Sequence, residues 1–178
     1  MIFVTVGTHE QPFNRLVKLI DKMVESGKVK EEVIIQKGYT DYEPKFCKSY
    51  KLIGYDEMQK YIEEARIVIT HGGPASFIAP LSIGKIPIVV PRKKEFNEHV
   101  NNHQLEFALE VRKRMKNIIV AETEEELIDA VMNYDKKIEK LNNNEHSNNK
   151  LFNENLEKEI QELFKKDGGV SCGKKKLE

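Results

Sequence analysis

The sequence predicts an α/β fold: a doubly wound, Rossmann-like parallel sheet with helices on both faces and one further helix appended at the C-terminal end. Three observations predict it. Short apolar runs, such as Ile67-Val68-Ile69 and Ile86 to Val90, alternate with amphipathic stretches along most of the chain. Two of these runs end in glycine turns, Gly7-Thr8-His9 and Thr70-His71-Gly72-Gly73, that lead into helical sequence. A polar loop carrying Glu98, His99, Asn101, Asn102, His103 and Gln104 follows the run that Pro91 ends. Such a loop lies at the carboxyl edge of its strand, where open α/β sheets bind ligands.

The elements follow in order. Met1 to Val6 reads as a buried strand ending at Gly7. Phe13, Leu16, Val17, Ile20, Met23 and Val24 recur at helical spacing and predict a helix over 12–26, ended by Gly27. Val33-Ile34-Ile35-Gln36 is a second strand, 38–46 a loop, and Tyr50 to Ile53 a weak strand. Asp56 is the expected N-cap of a helix carrying Met58, Tyr61, Ile62 and Ala65. Ile67 to Thr70 delivers the second glycine turn, and Gly84 separates the helix after it from the strand Ile86 to Val90. Residues 99–115 read as a helix and Ile118-Ile119-Val120 as the last strand. Thr123 and Glu126 form a capping box that opens a helix over Leu127, Ile128, Val131 and Met132.

The expected organisation is a sheet domain over 1–141, an asparagine-rich linker over 142–149, an amphipathic helix over 150–167 and a disordered tail over 168–178. The helix carries a stripe of Leu151, Phe152, Leu156, Ile160, Leu163 and Phe164. That stripe packs on the chain's own sheet or docks on another protein, and both readings stay open.

Composition narrows the partners. With 29 basic and 29 acidic residues the formal net charge is zero, which gives no field for a polyanion and excludes nucleic acid as the expected partner. Cys47 and Cys172 match no metal spacing and read as reduced thiols of a cytosolic protein. The apolar runs fall far short of the roughly 18 residues of a membrane span, and Met1 to Val6 enters a strand pattern rather than a signal peptide. The expected location is therefore cytoplasmic.

The chemistry lies in three motifs. Gly7 permits a tight strand-to-helix turn and Thr8 adds a hydroxyl, but neither the three-glycine dinucleotide fingerprint nor the phosphate-loop lysine is present. His71-Gly72-Gly73-Pro74-Ala75-Ser76 is more specific: two glycines let backbone approach a ligand, and Ser76 offers a hydroxyl in the first helical turn. A helix N-terminus at such a turn presents N–H groups and a positive dipole end to a diphosphate. In the third motif, Glu98, Asn101, Asn102 and Gln104 suit sugar hydroxyls, and His99 and His103 suit oxygen or pyrophosphate. His99 and His103 sit at zinc-like spacing with Glu98 beside them, but the interposed glutamate of a zinc helix is missing, so no metal is expected. No Asp-x-Asp occurs, which points to metal-free stabilisation of a leaving diphosphate by backbone and helix dipole, with no cofactor.

In these motifs the sequence resembles the C-terminal, nucleotide-sugar-binding half of the GT-B glycosyltransferases, the family 28 C-terminal domain. It is most similar to small stand-alone versions of that half. These are the bacterial exopolysaccharide and capsule glycosyltransferase subunits and the catalytic subunit of the eukaryotic two-protein transferase acting on dolichol-linked sugar. Phe3 to Thr8, Thr70 to Ser76, Gly84 to Pro91 and Glu98 to Gln104 carry the resemblance, over roughly residues 1–135. By resemblance, Gly7, Thr8, Gly72, Gly73, Ala75 and Ser76 face the diphosphate, the segment holding Tyr55 and Met58 reads the uracil, and Glu98, His99 and Asn102 lie toward the donor sugar. His9, His71 and Glu98 are the candidate catalytic groups. Two departures stand out. Ala79, followed by Pro80, occupies the position of the usual ribose-binding glutamate, and Glu98-His99 replaces a glutamine pair.

The resemblance implies a UDP-sugar-binding subunit of a two-component, inverting hexosyltransferase. A membrane-anchored partner would supply the acceptor-binding half and hold a lipid-linked acceptor, and this chain would sit peripheral to the membrane through it. Two rivals remain at this point: a non-catalytic nucleotide-sugar-binding module that stimulates its partner, and an epimerase-like nucleotide-sugar enzyme.

Overall fold

The computed structural model describes residues 1–143. Its strands are β1 (Ile2–Thr5), β2 (Val33–Gln36), β3 (Lys48–Tyr50), β4 (Ile67–His71), β5 (Ile88–Val90) and β6 (Ile119–Val120). They form one sheet in the order β3-β2-β1-β4-β5-β6, parallel throughout. The helices are α1 (Asn14–Glu25), α2 (Tyr55–Glu64), α3 (Pro74–Ser82), α4 (His103–Met115), α5 (Glu124–Met132) and α6 (Tyr134–Asn143). The predicted α/β class holds.

Alternation along each strand divides the core between two faces. Ile2, Val4, Ile35, Ile67, Ile69, Ile88 and Val90 pack with Leu16, Val17 and Ile20 of α1 and with Leu127, Ala130 and Val131 of α5. On the other face Phe3, Ile34 and Val68 meet Tyr61 and Ile62 of α2, and Val89 meets Phe77 and Leu81 of α3 with Ala108 of α4. Strands buried on both faces need no polar alternation, which is why they read as continuous apolar runs.

The strand order places the site. From β1 the chain moves outward to β2 and β3, then returns to lay β4 on the other side of β1. Thr5 is level with Thr70 in this pairing, so the Gly7 and Gly72-Gly73 turns leave the sheet side by side. This is the switch point of a doubly wound sheet, where neighbouring connections go to opposite faces and leave a crevice.

Several boundaries differ from expectation. The edge strand is Lys48–Tyr50 rather than Tyr50–Ile53, because pairing with Ile34–Gln36 fixes its register. Helix α2 begins at Tyr55 with Gly54 as extended N-cap, which puts Asp56 and Glu57 in the first turn where they favour the dipole. Helix α4 begins at His103, not at 99. A single 3-10 turn, Lys94–Phe96, comes first, and Asn101 Oδ1 accepts the His103 N–H at 3.2 Å. Short asparagine side chains compete here with helical bonding. The Thr123–Glu126 capping box is present as predicted. Helix α6 continues through Asn143, two residues into the stretch expected as a linker. Its Tyr134 hydroxyl donates to the Ile86 carbonyl at 2.6 Å. The expected helix over 150–167 and the tail over 168–178 lie outside the described residues.

Candidate functional site

A cavity of about 440 Å³ opens at the switch point. Its inner walls come from the ends of β1, β2 and β4 through Thr5, Gln36 and His71. One side wall is Leu52, Ile53 and the α2 residues Tyr55, Met58, Gln59 and Ile62; the other is Gly73 and the start of α3, with Ala75, Ser76 and Ala79. Its size suits a nucleotide. Helices α2 and α3 both begin at this edge and run back along the sheet, so two positive dipole ends border the cavity.

Gln36 fixes the first turn. Its Oε1 accepts from the Thr5 hydroxyl at 2.6 Å and from the Gly7 N–H at 3.2 Å, while its Nε2 donates to the Gly7 carbonyl at 3.0 Å. Both polar backbone groups of Gly7 are thus engaged, and the donor left to a ligand on this turn is the next N–H, that of Thr8. At the second turn the Ser76 hydroxyl donates to the Gly73 carbonyl at 2.6 Å, with the His71 carbonyl at 2.8 Å. Pro74 has no N–H and the Ser76 N–H bonds the Gly73 carbonyl, so Ala75 carries the free N–H of the first helical turn.

Between the turns lies His71. A Cβ on Gly7 would stand 2.5 Å from His71 Cε1, and one on Gly73 would stand 2.6 Å from His71 Nε2. The space that both glycines leave open is filled by this ring. Its Nδ1 has no hydrogen-bond partner among the described residues. Burial, reinforced by the Arg92 charge, pushes the imidazole down to about 4, so it is neutral near pH 7.

Arg92 ties the remaining loops together. The guanidinium is fully buried and donates to the carbonyls of Val6 (2.8 Å), Gln11 (2.7 Å) and Glu98 (3.0 Å). Its Cζ lies over the Phe13 ring, 4.8 Å from the centroid. Burial lowers it to about 10, with Glu98 opposing that shift, so it stays charged. Glu98 is itself buried. Arg15 clamps both carboxylate oxygens at 2.9 Å, and the Lys93 N–H adds a third bond at 3.0 Å.

The sequence-predicted residues therefore fall into two groups. Gly7, Thr8, Tyr55, Met58, His71, Gly73, Ala75 and Ser76 line the cavity together. His9, Glu98, His99 and Asn102 stand beside it on the two loops that Arg92 joins, and Gln104 follows in the first turn of α4. Gly72 faces away, against Gln104 of a neighbouring cavity of about 380 Å³; a Cβ on Gly72 would lie 2.8 Å from Gln104 Cβ. Asn102 Oδ1 accepts the Lys94 N–H at 2.8 Å and so shapes its own loop. The His9 and His99 rings lie 4.7 Å apart. In each, Nδ1 accepts an N–H two residues on, from Gln11 and Asn101. That bonding leaves the proton of each neutral ring on Nε2 and makes both rings hydrogen-bond donors. Burial and the neighbouring His99 and Arg92 hold His9 below its ordinary value.

Sequence reasoning missed Gln36, Arg92 and Gln59. The first two leave a trace, as the one polar residue ending the run Val33-Ile34-Ile35-Gln36 and as a cation directly after Val90-Pro91. Gln59 leaves none, since a glutamine on a charged helix reads as solvated.

A model of the glycosyltransferase family 28 C-terminal domain matches residues 1–163. Among solved structures, the glycotransferase of kitacinnamycin superposes with a TM-score of 0.55 at 16% identity, over 88% of this chain and 42% of that one. The glycosyltransferase SnogD from Streptomyces nogalater aligns with a TM-score of 0.44 at 17% identity, over 79% of this chain and 40% of that one. The chain spans less than half the length of either protein. A search of curated proteins gives no match.

Proposed function

The chain belongs to the glycosyltransferase family 28 C-terminal domain family and folds as half of a GT-B glycosyltransferase, and from that premise we propose that it is the donor-binding catalytic subunit of a two-component, inverting hexosyltransferase. It binds a UDP-sugar at the switch-point cavity. A membrane-anchored partner supplies the acceptor-binding half and presents a lipid-linked acceptor, in glycan synthesis of the exopolysaccharide or capsule type. The observation that carries the reading is the convergence of two strand-glycine-helix turns on one nucleotide-sized cavity.

The chemistry follows from the groups present. An acceptor hydroxyl oxygen attacks the anomeric carbon, the bond from that carbon to the diphosphate oxygen breaks, and UDP leaves with the electron pair. Charge developing on UDP meets the Thr8 and Ala75 N–H groups, the α3 dipole and the buried cation of Arg92. These groups are fixed before substrate arrives, and the proposed mechanism uses no metal. The acceptor proton passes to a base on the partner. Within this chain Glu98 is consumed by Arg15 and Lys93, His71 is held between the turns with its imidazole pushed down to about 4 and so is a weak base, and His9 and His99 donate through Nε2. His9 and His99 hydrogen-bond the diphosphate or donor sugar, while Glu98, Asn102 and Gln104 hold the loop that carries His99.

Calorimetry of the purified chain with UDP in EDTA tests this reading. Saturable binding without a divalent ion is expected. A strict ion requirement would remove the metal-free mechanism, and absence of UDP binding under all conditions would remove the donor-site assignment.

A further inference from the structure

Gln59 stands on the second turn of α2 and lines the cavity. Helices α2 and α3 both leave the carboxyl edge of the sheet, and residues of the second turn of each line the same cavity. From its second turn α3 contributes Ala79, whose methyl forms no hydrogen bond. The other polar groups of the cavity are committed or placed elsewhere. Thr5 and Gln36 bond each other and Gly7, Ser76 bonds two carbonyls, Thr8 belongs to the glycine turn, the His71 ring lies between Gly7 and Gly73 at the strand ends, and the Tyr55 ring is 76% exposed at the rim. The half-buried Gln59 carboxamide has no hydrogen-bond partner among the described residues. It is an unused donor and acceptor on a wall otherwise made of Leu52, Ile53, Tyr55, Met58 and Ile62.

A nucleoside diphosphate has three parts. Its phosphates belong at the N–H groups of Thr8 and Ala75. Its base needs flat apolar surface, offered at the mouth by Leu52, Ile53 and Met58. The ribose joins the two and comes to rest between the second turns of α2 and α3. A vicinal diol both donates and accepts, as a carboxamide does, and a neutral amide adds no repulsion toward the diphosphate. Building on the donor-site reading above, we propose that Gln59 hydrogen-bonds the ribose 2′,3′-diol and makes the site selective for ribonucleotides.

Calorimetry of the full chain with UDP, 2′-deoxy-UDP and CDP tests this. The wild type should bind UDP roughly three- to tenfold more tightly than 2′-deoxy-UDP, the worth of one hydrogen bond. In Gln59→Ala, UDP should weaken to the 2′-deoxy level while 2′-deoxy-UDP is unchanged. Gln59→Glu, which keeps an acceptor for the diol, should retain the discrimination. Full discrimination in Gln59→Ala would overturn the assignment while leaving the donor site intact. Loss of the preference for UDP over CDP, with the deoxy ratio unchanged, would place Gln59 on the base and also overturn it. Failure of the wild type to bind any of the three would instead remove the donor-site reading itself.

Discussion

Gly7 and Gly73 stand on either side of one imidazole, at the ends of adjacent strands, and would be scored alike from sequence. Their backbones differ. Gly7 has φ +77°, in the left-handed region, and is bound front and back by Gln36. Gly73 has φ −72° and ψ 132°, an extended conformation open to any residue, and serves as the N-cap of α3. Gly7 is thus required twice, for its dihedral and for the room His71 occupies, whereas Gly73 is required for room alone. A glycine beside a ligand cavity is usually assigned to ligand approach. Here the atoms that a Cβ would strike belong to the chain itself, so both turns are preorganised by packing before any ligand arrives.

The largest effect expected is from Gly7→Ala. Left-handed strain and overlap with His71 together cost roughly 4 kcal/mol, which a urea titration reads as a large fall in midpoint. Placing the substitution in a His71→Ala background removes the overlap but not the strain, so only part of the loss should return.

Next comes the acid limb of stability. His71 sits at about 4 in the fold against an ordinary value of 6.5. As pH falls below 6.5 the unfolded chain takes up the proton first. The contribution is therefore complete above about pH 6.5 and is lost between pH 6.5 and 4, on the order of 3 kcal/mol in all. Urea midpoints from pH 7.5 to 4.5 should fall more steeply for wild type than for His71→Asn. Parallel curves would mean that the ring is not held neutral.

Gly73→Ala should cost least, about 2 kcal/mol of overpacking. In the His71→Ala background that cost should vanish. A double-mutant cycle then gives full coupling for Gly73 and partial coupling for Gly7. Equal coupling at both positions would break the distinction drawn between them.

How much of this was legible follows the same division. The alternation of apolar runs and amphipathic helices was readable because both faces of the sheet are covered, and the pairing of strand, glycine and helix marked both turns. The third strand was misplaced because its register comes from pairing with β2 and not from its own weak pattern. Helix α6 went unread because Tyr134, Ile138 and Leu141 are scattered among lysines beside an asparagine-rich stretch. Eight of the expected site residues line the cavity because strand ends and helix starts fix them locally. The roles of Glu98 and Arg92 could not be read in that way. They rest on partners up to 86 positions away, such as the Arg92–Val6 bond, and no local spacing reports such a partner.

The most direct measurement is a crystal structure of the chain with UDP bound. The diphosphate should lie on the Thr8 and Ala75 N–H groups above the His71 ring, with the ribose against Gln59 and the uracil along Leu52 and Met58. UDP seated elsewhere on the sheet, or a diphosphate held without either N–H group, would contradict the assignment of the two glycine turns as the donor site.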